Sequence, residues 1–151
     1  MKELNLLLKT EQELPLFKAS VITILFSSNY IKDELLRVLK PFDLSLEQFN
    51  VLRILRGQKG KAINLQDIQE RMVSKMSNTT RLVDKLIKKK FVNRMTCKEN
   101  RRKVDITITN NGIEILKKID PVIEYTEKKL TENLTQNELF QLNKLLIKLR
   151  N

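Results

Sequence analysis

A run of polar and basic residues in the middle of the sequence has the side-chain types that contact nucleic acid. We predict a helix there, capped by Ser74 and running to about Lys89. At about 100° per residue, its outward face carries Ser74, Lys75, Ser77, Asn78, Arg81 and Lys85. Arginine can bond a guanine edge with two nitrogens and asparagine an adenine edge, so Arg81 and Asn78 are candidates for base readout. The hydroxyl groups of Ser77, Thr79 and Thr80 could bond bases or phosphates.

A second basic group lies at residues 98–103, between two short runs of alternating apolar and polar residues. This predicted hairpin tip carries Arg101, Arg102 and Lys103. Arginine is favoured in a DNA minor groove because the negative potential is enhanced there. The same charges could also keep the hairpin from pairing edge to edge with another sheet, and the two roles are compatible. Three further lysines, residues 88–90, are expected to contact phosphates.

The positive charge is concentrated around these two groups. The 151-residue chain has a net charge of +11, and residues 61–103 account for +9 of it. Basic residues needed only for solubility would be spread evenly. The concentration therefore indicates a specific surface for the phosphates of nucleic acid.

Most enzyme classes lack their residues in this sequence. There is no histidine, there is one cysteine (Cys97), and the three glycines are scattered. Nucleophile–histidine catalysis, cysteine-rich zinc sites and phosphate-binding glycine loops are therefore not expected. We predict no catalytic residue, no metal site and no cofactor.

The elements that position the basic residues are predicted as a winged helix over about 45–109. Ser45 with Gln48 fits a capping box, and Asn64 can cap a short helix carrying Leu65, Ile68 and Met72. The turn to the next helix is predicted at about residues 73–74, and Met76, Val83, Leu86 and Ile87 are predicted to face inward. Two β-like runs, 92–96 and 104–108, then indicate a hairpin. Two short helices followed by a hairpin are typical of a winged helix-turn-helix.

Helical arms flank this core, at about 1–40 and 112–151, within a single, mainly α domain. A long helix is predicted over about 14–39, where Pro41 stops it. After a helix from Thr109 or Asn110, Pro121 is expected to kink or restart the chain, and Thr135 to cap a last helix. That last helix places Leu139, Leu142, Leu146 and Leu149 in one stripe, spaced 3, 4 and 3 residues apart. Such a seam suits pairing between helices.

The sequence also predicts where the protein resides. Residues 1–13 alternate leucine with charge and lack a signal-peptide cleavage site. The longest apolar stretch, about residues 21–26, is far shorter than the about 20 residues that cross a membrane. We therefore expect a cytoplasmic protein with no membrane partner.

Several of these segments together resemble the MarR family of bacterial transcriptional regulators. The resemblance is carried by residues 44–52, 76–86, 100–102 and 106–112, in that order and spacing. It implies a homodimer in which Phe17 and Val21 of the first arm and the leucine stripe of the last arm form the interface. It also implies a palindromic operator as partner, repression as the usual activity, and a small effector, often aromatic or phenolic.

One departure from the family is expected to have a structural consequence. Lys90 stands where the family usually has glycine after the second helix of the helix-turn-helix. Glycine adopts the left-handed backbone conformation at a helix end without steric strain. Lys90 is therefore expected to be mildly strained, or the turn to differ.

Two alternative functions remain open at this point. An architectural protein would use the same basic surface without reading bases, with a steep salt dependence. A membrane-surface or protein-interaction module would use the amphipathic arms and the polybasic residues 88–90.

Overall fold

The computed structural model describes residues 2–9, 11, 13–96 and 104–151. It is mainly helical with one two-stranded antiparallel sheet, which confirms the predicted fold class. The elements are α1 (Lys2–Leu8), α2 (Leu16–Leu39), a 3₁₀ turn (Lys40–Phe42), α3 (Leu46–Gly57), α4 (Leu65–Arg71), α5 (Thr79–Lys88), β1 (Val92–Thr96), β2 (Val104–Ile108), α6 (Asn110–Leu130) and α7 (Gln136–Lys148).

Three of the helices begin where local sequence predicts. The backbone N–H of Gln48 donates to Ser45 Oγ at 3.2 Å, and the Ser45 N–H donates to Gln48 Oε1 at 3.1 Å. Asn64 and Asp67 form the same reciprocal pair before α4, and Thr135 begins α7 in this way too. Each pair satisfies two backbone donors that a helix start otherwise leaves without partners.

The start of α5 differs from the prediction. Its N-cap is Asn78, whose side chain accepts from the Arg81 N–H at 3.0 Å, so Ser74 is not the cap. The turn between α4 and α5 consequently covers residues 72–78 rather than 73–74. Met76 was expected to face inward, but it lies in this turn and is 95% exposed. Helical periodicity does not extend into a turn, which is why the inward assignment of Met76 is wrong.

Two further differences concern the arms. Within the predicted helical arm of about residues 1–40, a helix was predicted only over about 14–39, whereas Lys2–Leu8 also form a helix, α1. The α6 helix continues through Pro121, so the predicted restart there is wrong. Proline has no N–H, so the carbonyl of Lys117, four residues earlier, has no helical hydrogen-bond donor. Both residues are exposed. Water can therefore bond the carbonyl, which lowers the cost of proline inside a helix.

A single apolar core joins the winged helix to the arms. It is built from wholly or almost wholly buried residues of α2 to α6 and the sheet: Leu39, Leu44, Phe49, Val51, Leu52, Leu55, Ile68, Met72, Val83, Leu86, Val92, Ile106, Leu116, Ile119 and Ile123. Burying a side chain of this size stabilises a fold by about 1.5–3 kcal/mol. The position of α5 against α3 and α4 is therefore set by the core.

The hairpin is anchored to the helices at its base. Its strands pair in the register Val92 opposite Ile108, and Ile106 also exchanges two backbone hydrogen bonds with Ile63, at 3.1 and 2.9 Å. At the start of α6, a Cβ on Gly112 would lie 2.4 Å from the Phe91 carbonyl oxygen. Only glycine lets α6 pack this closely against the hairpin.

Lys90 has the left-handed backbone that the departure from the family implied, with φ of 62°. Lys90 N–H donates to Ile87 O at 2.8 Å and Phe91 N–H to Leu86 O at 3.0 Å, which closes the end of α5. A left-handed residue other than glycine costs about 1–2 kcal/mol, and glycine loses about 0.5–1 kcal/mol more backbone entropy on folding.

We therefore expect Lys90→Gly to raise the free energy of unfolding by about 0.5 kcal/mol, measured by urea denaturation. Lys85→Gly is the matched control, because it removes the same side chain from an exposed position inside α5. That change should lower the free energy of unfolding by about 1 kcal/mol. Equal destabilisation by both variants would show that Lys90 is not strained.

Candidate nucleic-acid interface

The turn before α5 is held in place by side chains from two other helices. Gln69 of α4 spans it, because its Nε2 donates to the Lys75 carbonyl at 2.6 Å and its Oε1 accepts from the Thr79 hydroxyl. The Asn50 side chain of α3 accepts from the Val73 N–H at 2.9 Å. These bonds tie the turn at its beginning, middle and end. The amino-terminal end of α5 is thus presented to solvent in a defined orientation.

Asn78 and Arg81 stand together at that end, as predicted. The Asn78 Oδ1 that caps the helix is also the atom that would accept from an adenine, so base readout would use its second lone pair. Arg81 is exposed, and no ion pair occupies its guanidinium among the described residues. Its five donors are therefore available to a ligand.

The other predicted contact residues are distributed over the turn and the helix. Ser74, Lys75 and Ser77 lie in the turn, whereas Thr80 and Lys85 are exposed on α5. The Ser77 hydroxyl oxygen was expected to face outward, but it is buried and has no hydrogen-bond partner among the described residues. Thr79 is 6% exposed and donates its hydroxyl to Gln69, so it faces the protein and not the outer surface. Arg101, Arg102, Lys103 and Cys97 lie outside the described residues.

One ion pair that the sequence analysis missed connects the hairpin to α5. Arg94 of β1 lies 2.8 Å from the carboxylate of Asp84. Asp84 is the only acidic residue of α5, and this pairing compensates its charge. The sequence shows that Asp84 is a single acidic residue on a basic helix, which indicates that it has a basic partner. The spacing along the chain does not identify that partner as Arg94.

A second ion pair connects α3 of the winged-helix core to α6 of the carboxy-terminal arm. Both guanidinium nitrogens of Arg56 in α3 donate to Asp120 of α6, at 2.5 and 3.0 Å. The two side chains are each about one third to two fifths exposed. A partly exposed pair of this kind contributes up to about 1 kcal/mol. The pair mainly fixes orientation, because two parallel hydrogen bonds from one guanidinium restrict how α3 and α6 can rotate relative to each other.

An open groove of about 610 Å³ lies where the end of α2 meets α3 and α5. Its lining combines apolar side chains with three lysines: Leu36, Lys40, Asp43, Leu44, Ser45, Gln48, Leu82, Lys85 and Lys89. Lys89 was expected to contact phosphate, but its ammonium lies 2.5 Å from the Asp43 carboxylate. The hydrogen bond from Lys89, together with its charge, lowers the pKa of Asp43 below its ordinary value. Unlike Lys89, Lys40 and Lys85 form no ion pair with a carboxylate among the described residues.

The arms leave large apolar side chains uncovered. Phe17 and Val21 of α2 are 69% and 55% exposed, and α7 has no buried residue. The predicted stripe on α7 is mostly open to solvent, and Phe140 and Ile147 add a second apolar stripe to the same helix. An apolar surface of this extent is typical of a protein–protein contact.

No helix among the described residues combines the length and the apolar character needed to span a bilayer.

Two helices joined by a held turn, a hairpin that follows directly and a basic exposed helix end together define a winged helix-turn-helix protein. Comparisons with known proteins agree. Residues 44–104 match the sequence profile of the MarR family. The multiple antibiotic resistance protein MarR of Escherichia coli is 30% identical over 122 residues, which is 80% of this chain and 83% of MarR. The chain belongs to the MarR family.

Solved structures support the same assignment. A cysteine-to-serine mutant of E. coli MarR, crystallised with operator DNA, superposes with a TM-score of 0.78 at 25% identity, over 90% of this chain and 99% of that one. Bordetella bronchiseptica BpsR, whose DNA binding is regulated by 6-hydroxynicotinic acid, shares the fold with a TM-score of 0.80 at 19% identity, over 93% of this chain and 99% of BpsR. Against regulators of Bacillus subtilis and Staphylococcus haemolyticus, the match spans only 46% and 51% of their length.

Proposed function

We propose that this protein is a cytoplasmic, homodimeric repressor that binds a palindromic operator and leaves it when a small ligand binds. The observation that carries the proposal is the exposed amino-terminal end of α5. Arg81 is exposed there and has no ion-pair partner among the described residues, Asn78 stands beside it, and residues 61–103 carry a net charge of +9. A helix-turn-helix meets base edges with this end of its second helix.

A homodimer follows from the uncovered arms. A palindromic site is read by two copies related by a two-fold axis, each placing one helix in the major groove. The apolar faces of α2 and α7 supply the surface that a second copy would cover. Neither face has another partner within the part of the chain that the structure describes.

A small ligand has a candidate site in the groove between α2 and α5. A molecule bound there touches the dimer arm through Leu36 and Lys40 and touches α5 through Leu82 and Lys85. It would alter the position of α5 relative to the arm, and hence the spacing of the two helices in the dimer. The apolar lining and the lysines favour a small aromatic anion.

The test is fluorescence anisotropy with the DNA upstream of the protein's own coding region, in the presence of excess random duplex. We expect tight binding that survives the competitor. Binding that the competitor erases, with equal salt slopes on all duplexes, would indicate an architectural protein. Absence of binding to any duplex at low salt would contradict DNA recognition.

The same assay tests release, with 6-hydroxynicotinate as the probe anion. The probe should lower operator affinity, and Lys40→Ala should raise the probe concentration needed. Lys18→Ala on the same helical arm is the charge-matched control and should leave that concentration unchanged. Operator affinity that is insensitive to millimolar probe would contradict a site for aromatic carboxylates.

A further inference from the structure

The turn before α5 exposes two large apolar side chains. Val73 is 88% exposed and Met76 is 95% exposed, and both lie in the turn before α5. The other exposed large hydrophobic residues among those described lie in or beside α1, α2, α6 and α7, apart from Met95 on β1. Met76 is therefore the most exposed large apolar side chain among the described residues of the DNA-binding core, and a second copy docking on the arms would not explain its exposure.

The exposure of Met76 is a feature of an ordered turn. Gln69 binds the carbonyl of Lys75, the residue just before Met76, and the hydroxyl of Thr79, three residues after it. Met76 is two residues ahead of the N-cap Asn78, so it stands at the end of α5 that carries Arg81. Its thioether side chain is almost wholly open to solvent at this end of the helix.

The major groove contains one apolar group that distinguishes bases, the C5-methyl of thymine. A methionine side chain suits such a contact, because it is flexible, polarisable and unbranched. We propose that Met76 packs against a thymine methyl in each operator half-site and so specifies thymine near the base that Arg81 contacts. This inference rests on the proposed function and adds a specificity-determining residue to it.

The test replaces thymine with deoxyuridine, which removes only the C5-methyl and keeps base pairing. Wild-type protein first selects its operator from a random library, and each thymine is then replaced in turn. At one position of the half-site, the replacement should weaken wild-type binding about fourfold, because one buried methyl group is lost. Replacing that thymine in both half-sites should weaken binding about fifteenfold. Met76→Ala should bind the thymine and deoxyuridine versions of that position equally.

Two variants make the result specific. Met76→Leu keeps an apolar side chain and should keep the discrimination. Val73→Ala removes an equally exposed apolar group farther from α5 and should leave the deoxyuridine pattern unchanged. Circular dichroism and a urea midpoint equal to wild type establish that each variant is folded, as expected for changes at exposed positions.

The outcomes separate this inference from the proposed function. Specific operator binding in which Met76→Ala still discriminates thymine, or in which wild type discriminates at no position, would overturn the role of Met76 alone. Failure of wild type to select any sequence would overturn the proposed function as well.

Discussion

Arg81→Ala should lose about 1–3 kcal/mol of preference for the operator over random DNA, equivalent to about a 5- to 150-fold fall in the affinity ratio. The reason is the position of the guanidinium at the exposed start of α5. A bidentate bond to guanine exists only on the right sequence, whereas a phosphate contact exists on every duplex. The measurement is the dissociation constant for operator and random duplex at one salt concentration.

The control must remove one positive charge elsewhere. Lys118→Ala on the exposed surface of α6 does so, away from the proposed contact surface, and should lower both affinities only slightly. Equal losses for operator and random DNA in Arg81→Ala would assign Arg81 to a phosphate. An unchanged preference combined with unchanged affinity would remove Arg81 from the interface.

We expect Leu142→Glu combined with Leu146→Glu to separate the two copies of the proposed homodimer. Each leucine buried in the interface contributes about 1.5 kcal/mol or more, and the two-fold axis makes every substitution count twice. The loss is about 6 kcal/mol, or about 10⁴-fold in the dimer dissociation constant, before the cost of burying carboxylates is added. Sedimentation should show a monomer, and operator binding should fall sharply because one half-site remains.

A matched variant keeps the charge change and moves it off the stripe. Asn137→Glu with Gln141→Glu adds two carboxylates on the polar side of α7 and should leave the dimer intact. A dimer that persists in the leucine variant would exclude the α7 stripe from the interface. The uncovered Phe140 and Ile147 would then be the next apolar surface to test.

The sequence alone determines features that depend on residues a few positions apart. The capping boxes at Ser45 and Thr135 are recognisable because each is a bond between residues three apart. The alternation in β1 and β2 and the leucine spacing in α7 are equally local, since they follow from the repeat of a strand or a helix. The concentration of charge in residues 61–103 requires no structure at all. These features were enough to predict the fold class.

Only the tertiary structure decides which side of the turn before α5 meets solvent. Periodicity placed Met76 inside, and the Thr79 hydroxyl was a candidate for contact with DNA, whereas Met76 is exposed and Thr79 is buried. The cause is Gln69, which belongs to a different helix, α4. Its amide binds the Thr79 hydroxyl and the Lys75 carbonyl and so holds the residues between them in a turn. The N-cap of α5 is therefore Asn78 and not Ser74. The pairs Arg56–Asp120 and Arg94–Asp84 likewise join distant segments. Their partners are chosen by packing of the core, and no spacing along the chain encodes that choice.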